Sequence, residues 1–331
     1  MDKKILRDPA VREQIAQKDA RVQRFRQRVE KQDKEIQRLR DRLAERALDR
    51  RPGQMKPENV VWMFGTGRSG STWLSNMMDD LPGHTVWREP LVGALFGYLY
   101  YVRADHRRVG GNKHYIMSSL YKDTWLGPIR DMVLGGGAAR FPEVADGGYL
   151  VIKEPNGSMG APLMMQALPE SRMIFLVRDP RDVIASDLDA RKEGSWLNQR
   201  RDKSRSRVAN QDPDRFVKGR AQNYLRDAGN SRLAYEEHEG YKTLVRYEDL
   251  LSDTLGTMRR IYSELGIEVS DSELSRVVQK HAWENIPEEE KGQGKFYRKA
   301  SPGGWRDDLT PEQVGVIEEI TAPLLNQFYP G

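Results

Sequence analysis

The sequence predicts an α/β fold: a parallel sheet flanked by helices, preceded by an N-terminal coiled-coil helix. Three observations predict it. Short apolar strands alternate with helical stretches from residue 59 onward, the pattern of a sheet covered on both faces. One of those strands runs directly into a glycine loop and a helix start, from Asn59 to Leu74 (NVVWMFGTGRSGSTWL). Ahead of it, Ile15, Val22, Val29, Ile36 and Leu43 recur every seven residues.

The arm comes first. Phe25 and Leu39 fill d positions of the heptad, and Lys18, Gln32 and Arg46 interrupt that seam. Mostly β-branched a positions favour a parallel dimer, so a homodimer through the arm is expected; a solitary solvated helix is the plainer alternative, and docking on nucleic acid or an anionic membrane a third that the interleaved acids disfavour. No Gly or Pro occurs from Ala10 to Arg50, and Arg51-Pro52-Gly53 then ends the helix. The boundaries read as an arm over 1–51, a linker over 52–58 and a body over 59–331. Of the chain's 54 Lys+Arg and 49 Asp+Glu, residues 1–50 hold 16 and 10, which leaves 38 and 39 for the rest. A nearly neutral body argues against nucleic acid as its partner. The chain has no cysteine, no signal-like apolar stretch in MDKKILRDPA and no apolar run long enough for a transmembrane segment. These features favour a cytoplasmic location.

The body opens on Val60 to Phe64, an apolar run suited to a buried strand. Gly65 to Gly70 is a loop that needs glycine's freedom, and Ser71-Thr72-Trp73-Leu74 starts a helix toward Met78. Such a turn gathers backbone N–H groups at a positive helix end, which holds an anion such as phosphate. The spacing resembles a Walker A loop with Gly65, Gly70 and Thr72 in place, but Ser71 stands where the lysine belongs and Arg68 is the loop's cation. That points to a phosphate-bearing donor other than a nucleoside triphosphate. A second strand, His84 to Arg88, ends at Glu89. Residues 91–134 read as mainly helical, and Gly135-Gly136-Gly137 reads as a loop. Strands follow at Tyr149–Lys153, Arg172–Val177 and Tyr241–Arg246, with helices at 158–168, 213–239, 252–265 and 271–281. Pro180 suits a first helical turn after Arg178. Ligands of such sheets sit beyond the carboxyl ends of the strands, where Arg68, Glu89, Lys153 and Arg178 all fall. The histidines read as solvated: His84 before its strand, His106 and His114 in a variable helical region, His238 at the surface.

These segments together resemble the sulfotransferases that use 3′-phosphoadenosine 5′-phosphosulfate (PAPS), over most of residues 59–310. FGTGRSGSTWL is similar to the family's 5′-phosphosulfate loop, and the segment from Phe175 to Ser186 (FLVRDPRDVIAS) to its 3′-phosphate motif. Arg298-Lys299-Ala300-Ser-Pro-Gly303-Gly304-Trp305 resembles the late loop, with Ala300 where the family has glycine. Tyr247-Glu248-Asp249-Leu250 matches the YED segment. The R-S-G-S-T-W form with Arg88-Glu89-Pro90-Leu91 is closest in style to the carbohydrate and tyrosylprotein enzymes.

The resemblance implies PAPS as co-substrate and a role for each matched residue. Gly67, Arg68, Ser69, Gly70, Ser71, Thr72 and Trp73 would form the 5′-phosphosulfate site. Arg178 and Ser186, eight residues apart and so facing alike on a helix, would hold the 3′-phosphate, with Arg298 and Lys299 closing over it. Trp283 would stack on adenine, with Tyr247 a second candidate. Arg68 and Lys153 would stabilise charge growing on the leaving phosphate, and no metal is called for. Glu89 is the preferred general base for the acceptor hydroxyl, Glu154 its rival, and an ion pair with Arg88 or another nearby arginine the structural alternative. The acceptor implied is a carbohydrate hydroxyl, on a glycan or a glycosylated metabolite. The basic run from Arg191 to Arg207 reads either as a lid over an acidic glycan or as a solvated insertion. Two other functions stand beside this one: a P-loop kinase using ATP, and an inactive nucleotide-binding module on a coiled-coil scaffold.

Overall fold

The computed structural model describes residues 23, 25–38, 55–145, 147–196, 209–292, 294–295, 297 and 301–330. The chain divides into two compact units, Met1–Pro52 and Gly53–Gly331. In the first, residues 25–38 are helical, and Phe25, Val29 and Ile36 of the heptad series are exposed on the single chain. Ile15, Val22, Leu39 and Leu43 lie outside the described residues.

The second unit is built on five parallel strands: β1 (Val60–Gly65), β2 (His84–Arg88), β3 (Tyr149–Lys153), β4 (Arg172–Val177) and β5 (Lys242–Arg246). Their order across the sheet is β2-β3-β1-β4-β5, with β1 central between β3 and β4. The period of two along each strand sorts side chains to two faces. Trp62, Phe64, Ile152 and Phe175 enter one apolar cluster, while Val61, Met63, Val151 and Ile174 enter the other.

Helices cover both faces. The Trp62 face packs against α3 (Lys122–Arg140), α4 (Ala161–Ala167), α6 (Pro213–Glu237) and α10 (Pro311–Phe328), through Ile129, Leu163, Tyr224 and Leu324. The Val61 face packs against α1 (Ser71–Asp79), α8 (Thr254–Glu264) and α9 (Asp271–Lys280), through Leu74, Met78, Ile261 and Val277. The remaining helices named below are α2 (Val92–Gly97), α5 (Pro180–Ala190) and α7 (Tyr247–Ser252). Residues fully withdrawn from water on both faces of β1 and β4 explain their near-continuous apolar sequence.

Three sequence expectations are corrected here. Gly135-Gly136-Gly137 is not a loop but lies inside α3. A Cβ on Gly137 would come within 2.8 Å of Leu150 Cδ2, so glycine is there to let the helix lie close against the sheet, and packing overrides propensity. His84 belongs to β2 and is buried, its ring between Tyr149 and Tyr262 and its Nδ1 2.9 Å from the Pro82 carbonyl. His238 is buried as well. Burial holds both rings below the ordinary histidine pKa, which suits neutral structural residues rather than solvated ones.

Candidate active site

The carboxyl ends of all five strands face one cavity of about 780 Å³. It opens where the strand order reverses about β1, the position at which open parallel sheets hold ligands. Gly67, Arg68, Gly70, Ser71, Thr72 and Trp73 reach its wall from the β1–α1 turn, Glu89 from β2 and Lys153 from β3. Arg178 comes from the turn after β4, Ser186 from α5, Tyr247 from the start of α7 just past β5, and Trp283 from the stretch after α9. Of the remaining expected site residues, Ser69 is buried in the same turn and off the cavity wall. Arg298 and Lys299 lie outside the described residues, as do residues 197–208 of the basic run.

The β1–α1 turn is tight because its backbone is unusual. Gly70 caps α1 at φ +91°, and a Cβ there would strike the Tyr247 ring at 2.5 Å. Only glycine satisfies both demands. Arg68 sits at φ +72°, Glu89 at +51° and Leu91 at +63°, all in the left-handed region that costs a non-glycine residue about 1–2 kcal/mol. Three such residues on one cavity rim mark a place where the surrounding structure holds strain at a functional site.

The cations are set by stacking and by backbone. Arg178 lies 4.2 Å over the Tyr247 ring and donates from Nη1 to the Arg68 carbonyl at 3.1 Å. Tyr224 donates to the Arg178 carbonyl at 2.7 Å. The Nε of Arg178 is buried and makes no hydrogen bond among the described residues, so a donor is left for an anion in the cavity. Arg68 Nε donates to Ser186 Oγ at 3.2 Å, and its guanidinium lies 5.4 Å from the centre of the Trp196 ring. Arg178 precedes α5, which begins at Pro180. The shared helical face expected for Arg178 and Ser186 therefore does not apply; the strand-end turn brings them to one wall.

On the same cavity, Glu89 accepts from Lys153 Nζ at 2.6 Å through one oxygen and from Asn156 Nδ2 at 2.6 Å through the other. The ion pair is thus with Lys153; Arg88 pairs instead with Asp79. Glu89 keeps about a third of its side chain exposed, whereas the Lys153 side chain is 7% exposed. Glu154 is fully buried, and its Oε2 accepts the Leu91 N–H at 3.0 Å. Burial pushes its pKa up to about 7, with the Glu89 charge adding to the rise and N–H donors opposing it. Facing away from the cavity, it fits a structural role under the Glu89 loop better than that of a base.

Several wall residues carry no sequence motif. Asp187, on α5, is bracketed by Arg191 at 3.2 Å and Arg220 at 2.6 Å. Asn223, Arg226 and Asp227 follow Arg220 along α6. Their helical spacing was available in the sequence, but nothing there marked which face of a 25-residue helix meets the site. Asp182, inside the Phe175–Ser186 motif, accepts the N–H groups of Gly303 and Trp305 at 2.7 and 3.0 Å and ties the late loop to α5. Glu248 of the YED segment accepts the Asp179 N–H at 3.1 Å and the Tyr329 hydroxyl at 2.7 Å, fixing the turn that carries Arg178.

A parallel sheet with a glycine turn and converging cations at the ends of its strands is the arrangement of an α/β nucleotide-binding fold. The Sulfotransferase family profile matches residues 61–271, and the chain belongs to that family. It is similar to sulfotransferase 2A1 of Rattus norvegicus, 24% identical over 178 residues, a match that spans 49% of this chain and 59% of the rat protein. Among solved structures it is similar to mouse sulfotransferase SULT7A1 complexed with PAP, at 16% identity and TM-score 0.51 over 83% of this chain and 86% of that one. Sulfotransferase STF9 from Mycobacterium avium matches at 16% identity and TM-score 0.49 over 86% and 79%.

Proposed function

We propose that this protein transfers the sulfuryl group of PAPS to an acceptor hydroxyl, and that the acceptor is a carbohydrate or glycosylated metabolite. One observation carries the reading: Arg68, Arg178 and Ser186 line a single cavity together with Glu89, which is held against Lys153. The residues fit such a donor. The turn from Gly67 to Thr72 offers N–H groups and a helix end to the 5′-phosphosulfate. Arg178 and Ser186 would hold the 3′-phosphate, with Arg298 and Lys299 from the late loop. Trp73, Tyr247 and Trp283 offer aromatic surface to adenine; Trp73 and Tyr247 already meet edge to face at 6.4 Å.

In the transfer, the bond from sulfur to the bridging phosphate oxygen breaks as the acceptor oxygen bonds to sulfur. Arg68 and Lys153 stabilise negative charge on the leaving phosphate. Glu89 takes the hydroxyl proton, and Asn156 keeps its carboxylate aimed at the cavity. Among the described residues the cavity wall carries six cationic side chains against four carboxylates, a surplus suited to the anionic donor. Dimerisation through the arm and a cytoplasmic setting complete the reading.

The experiment is a calorimetric titration with 3′-phosphoadenosine 5′-phosphate (PAP) and with ATP, followed by turnover of labelled PAPS in chelator. PAP binding without magnesium and chelator-resistant turnover are expected. ATP binding together with loss of turnover in chelator would establish the kinase reading instead.

A further inference from the structure

The segment joining β2 to α3, residues 91–121, leaves an apolar surface unpartnered. From Leu91 to Val102 it has no charged side chain, and its helical part is apolar on every side. A helix apolar all round is normally covered all round. Here one side packs into the core through Phe96, Leu99 and Tyr100. The other presents Leu91, Leu95, Tyr98 and Val102, spaced four, three and four apart along α2 and the π-helical turn Tyr98–Arg103 that extends it. The loop that follows is tied back by the Tyr115 hydroxyl, which donates to the Leu99 carbonyl at 2.6 Å. It exposes Ile116 at 77%, Leu120 at 65% and Tyr121.

Of the ten large apolar side chains exposed on the described part of the second unit, these are seven. Their concentration in this one segment marks an interaction site rather than ordinary surface. The charge beside it selects the partner. Residues 103–121 carry Arg103, Arg107, Arg108 and Lys113 against one carboxylate, Asp105. Aliphatic and tyrosine side chains beside a basic cluster match the boundary of an anionic bilayer, where rings sit at headgroup level and cations meet lipid phosphates. The chain's own arm, with its excess of basic residues, is a poor match for the same basic rim.

We propose that this face seats the enzyme on an anionic lipid surface. The stripe begins at the active site: Leu91 lines the cavity, and so does Met159, which lies under Gly97 close enough that a Cβ there would approach its Cγ to 2.7 Å. Seated this way, the cavity receives hydroxyl groups borne on lipid headgroups. That corollary rests on the proposed transfer reaction; the docking itself does not. No helix among the described residues is long and apolar enough to cross a membrane, so the contact is peripheral.

The test is co-sedimentation of the full chain with phosphatidylcholine vesicles, with and without phosphatidylglycerol. Wild type should pellet with the anionic vesicles and be released as salt rises. The variant Arg107→Gln/Lys113→Gln should lose about thirtyfold in vesicle affinity. The variant Leu95→Ser/Ile116→Ser/Leu120→Ser should lose about tenfold or more, with its melting temperature and PAP affinity unchanged. No binding by wild type, or binding that both variants leave intact (as the basic arm alone would give), overturns the proposal. So does a fall in solution mass of the apolar variant from dimer to monomer without any vesicle binding, which would assign the face to a second copy. Should the apolar variant fail to fold, the charge variant still decides. Because vesicle binding is read without donor, a failure of PAP to bind would count against the transfer reading alone.

Discussion

The wall of the cavity at the ends of β1, β4 and β5 and the wall at the ends of β2 and β3 are held by different means. The first is set by backbone and stacking. Gly70 lies against Tyr247, Arg178 bonds to a main-chain carbonyl, and Glu248 fixes the turn before α5. The second is set by paired side chains: Glu89 with Lys153 and with Asn156. Backbone turns offer one geometry and suit a ligand that never changes. Ion pairs can exchange partners when a ligand arrives and suit one that does. The first wall therefore fits a constant donor and the second a variable acceptor.

The sharpest way to break this division is at Glu89. Glu89→Gln keeps the shape and the contact with Lys153 while removing the proton acceptor. Turnover of labelled PAPS should fall roughly 10²–10⁴-fold with PAP affinity near wild type. Unchanged turnover would strip the second wall of its chemistry.

The same contrast governs what the sequence could reveal. The first wall is written in contiguous stretches, so GTGRSGSTW and RDPRDVIAS disclosed most of it. Arg220, Asn223 and Arg226 are ordinary residues of a long polar helix, and only its packing against β1, β4 and α4 turns them to the cavity. The strand order was not legible either. Strand identity follows from local apolar runs, but the placement of β1 between β3 and β4 depends on long-range packing. His84 and His238 were misjudged because a polar residue at a strand edge or helix end looks alike whether buried or solvated until its neighbours are known.

Glu154 tests whether the second wall needs its foundation. Its carboxyl has a pKa raised to about 7, so the folded protein retains a proton that the unfolded chain releases at lower pH. Stability should fall as pH rises from the ordinary carboxylate range through about 7, and the loss should be complete above it. The integrated cost is on the order of 3 kcal/mol. Glu154→Gln, which still offers an oxygen to the Leu91 N–H, should flatten that dependence in melting curves taken across this range. An unaltered slope would show that another group carries it.

Arg178 sharpens the first wall. Arg178→Ala should weaken PAP binding about a hundredfold by calorimetry, the worth of a charge-assisted contact, and adenosine 5′-phosphate binding much less. Equal losses for both nucleotides would mean that Arg178 acts by holding the Arg68 carbonyl and the β1 turn, not by touching a 3′-phosphate.

The smallest effect belongs to Asn223, a neutral amide on the cavity wall between Arg220 and Arg226. If this stretch of α6 reads the acceptor, an amide there supplies a hydrogen bond to a sugar hydroxyl and nothing to the donor. Asn223→Ala should then raise the acceptor KM several-fold, the net worth of one neutral hydrogen bond, with the PAPS KM and kcat held. A rise in the PAPS KM instead would move this stretch of α6 to the donor side. The acceptor would then have to lie nearer Leu91 and Met159, at the mouth where the apolar stripe begins.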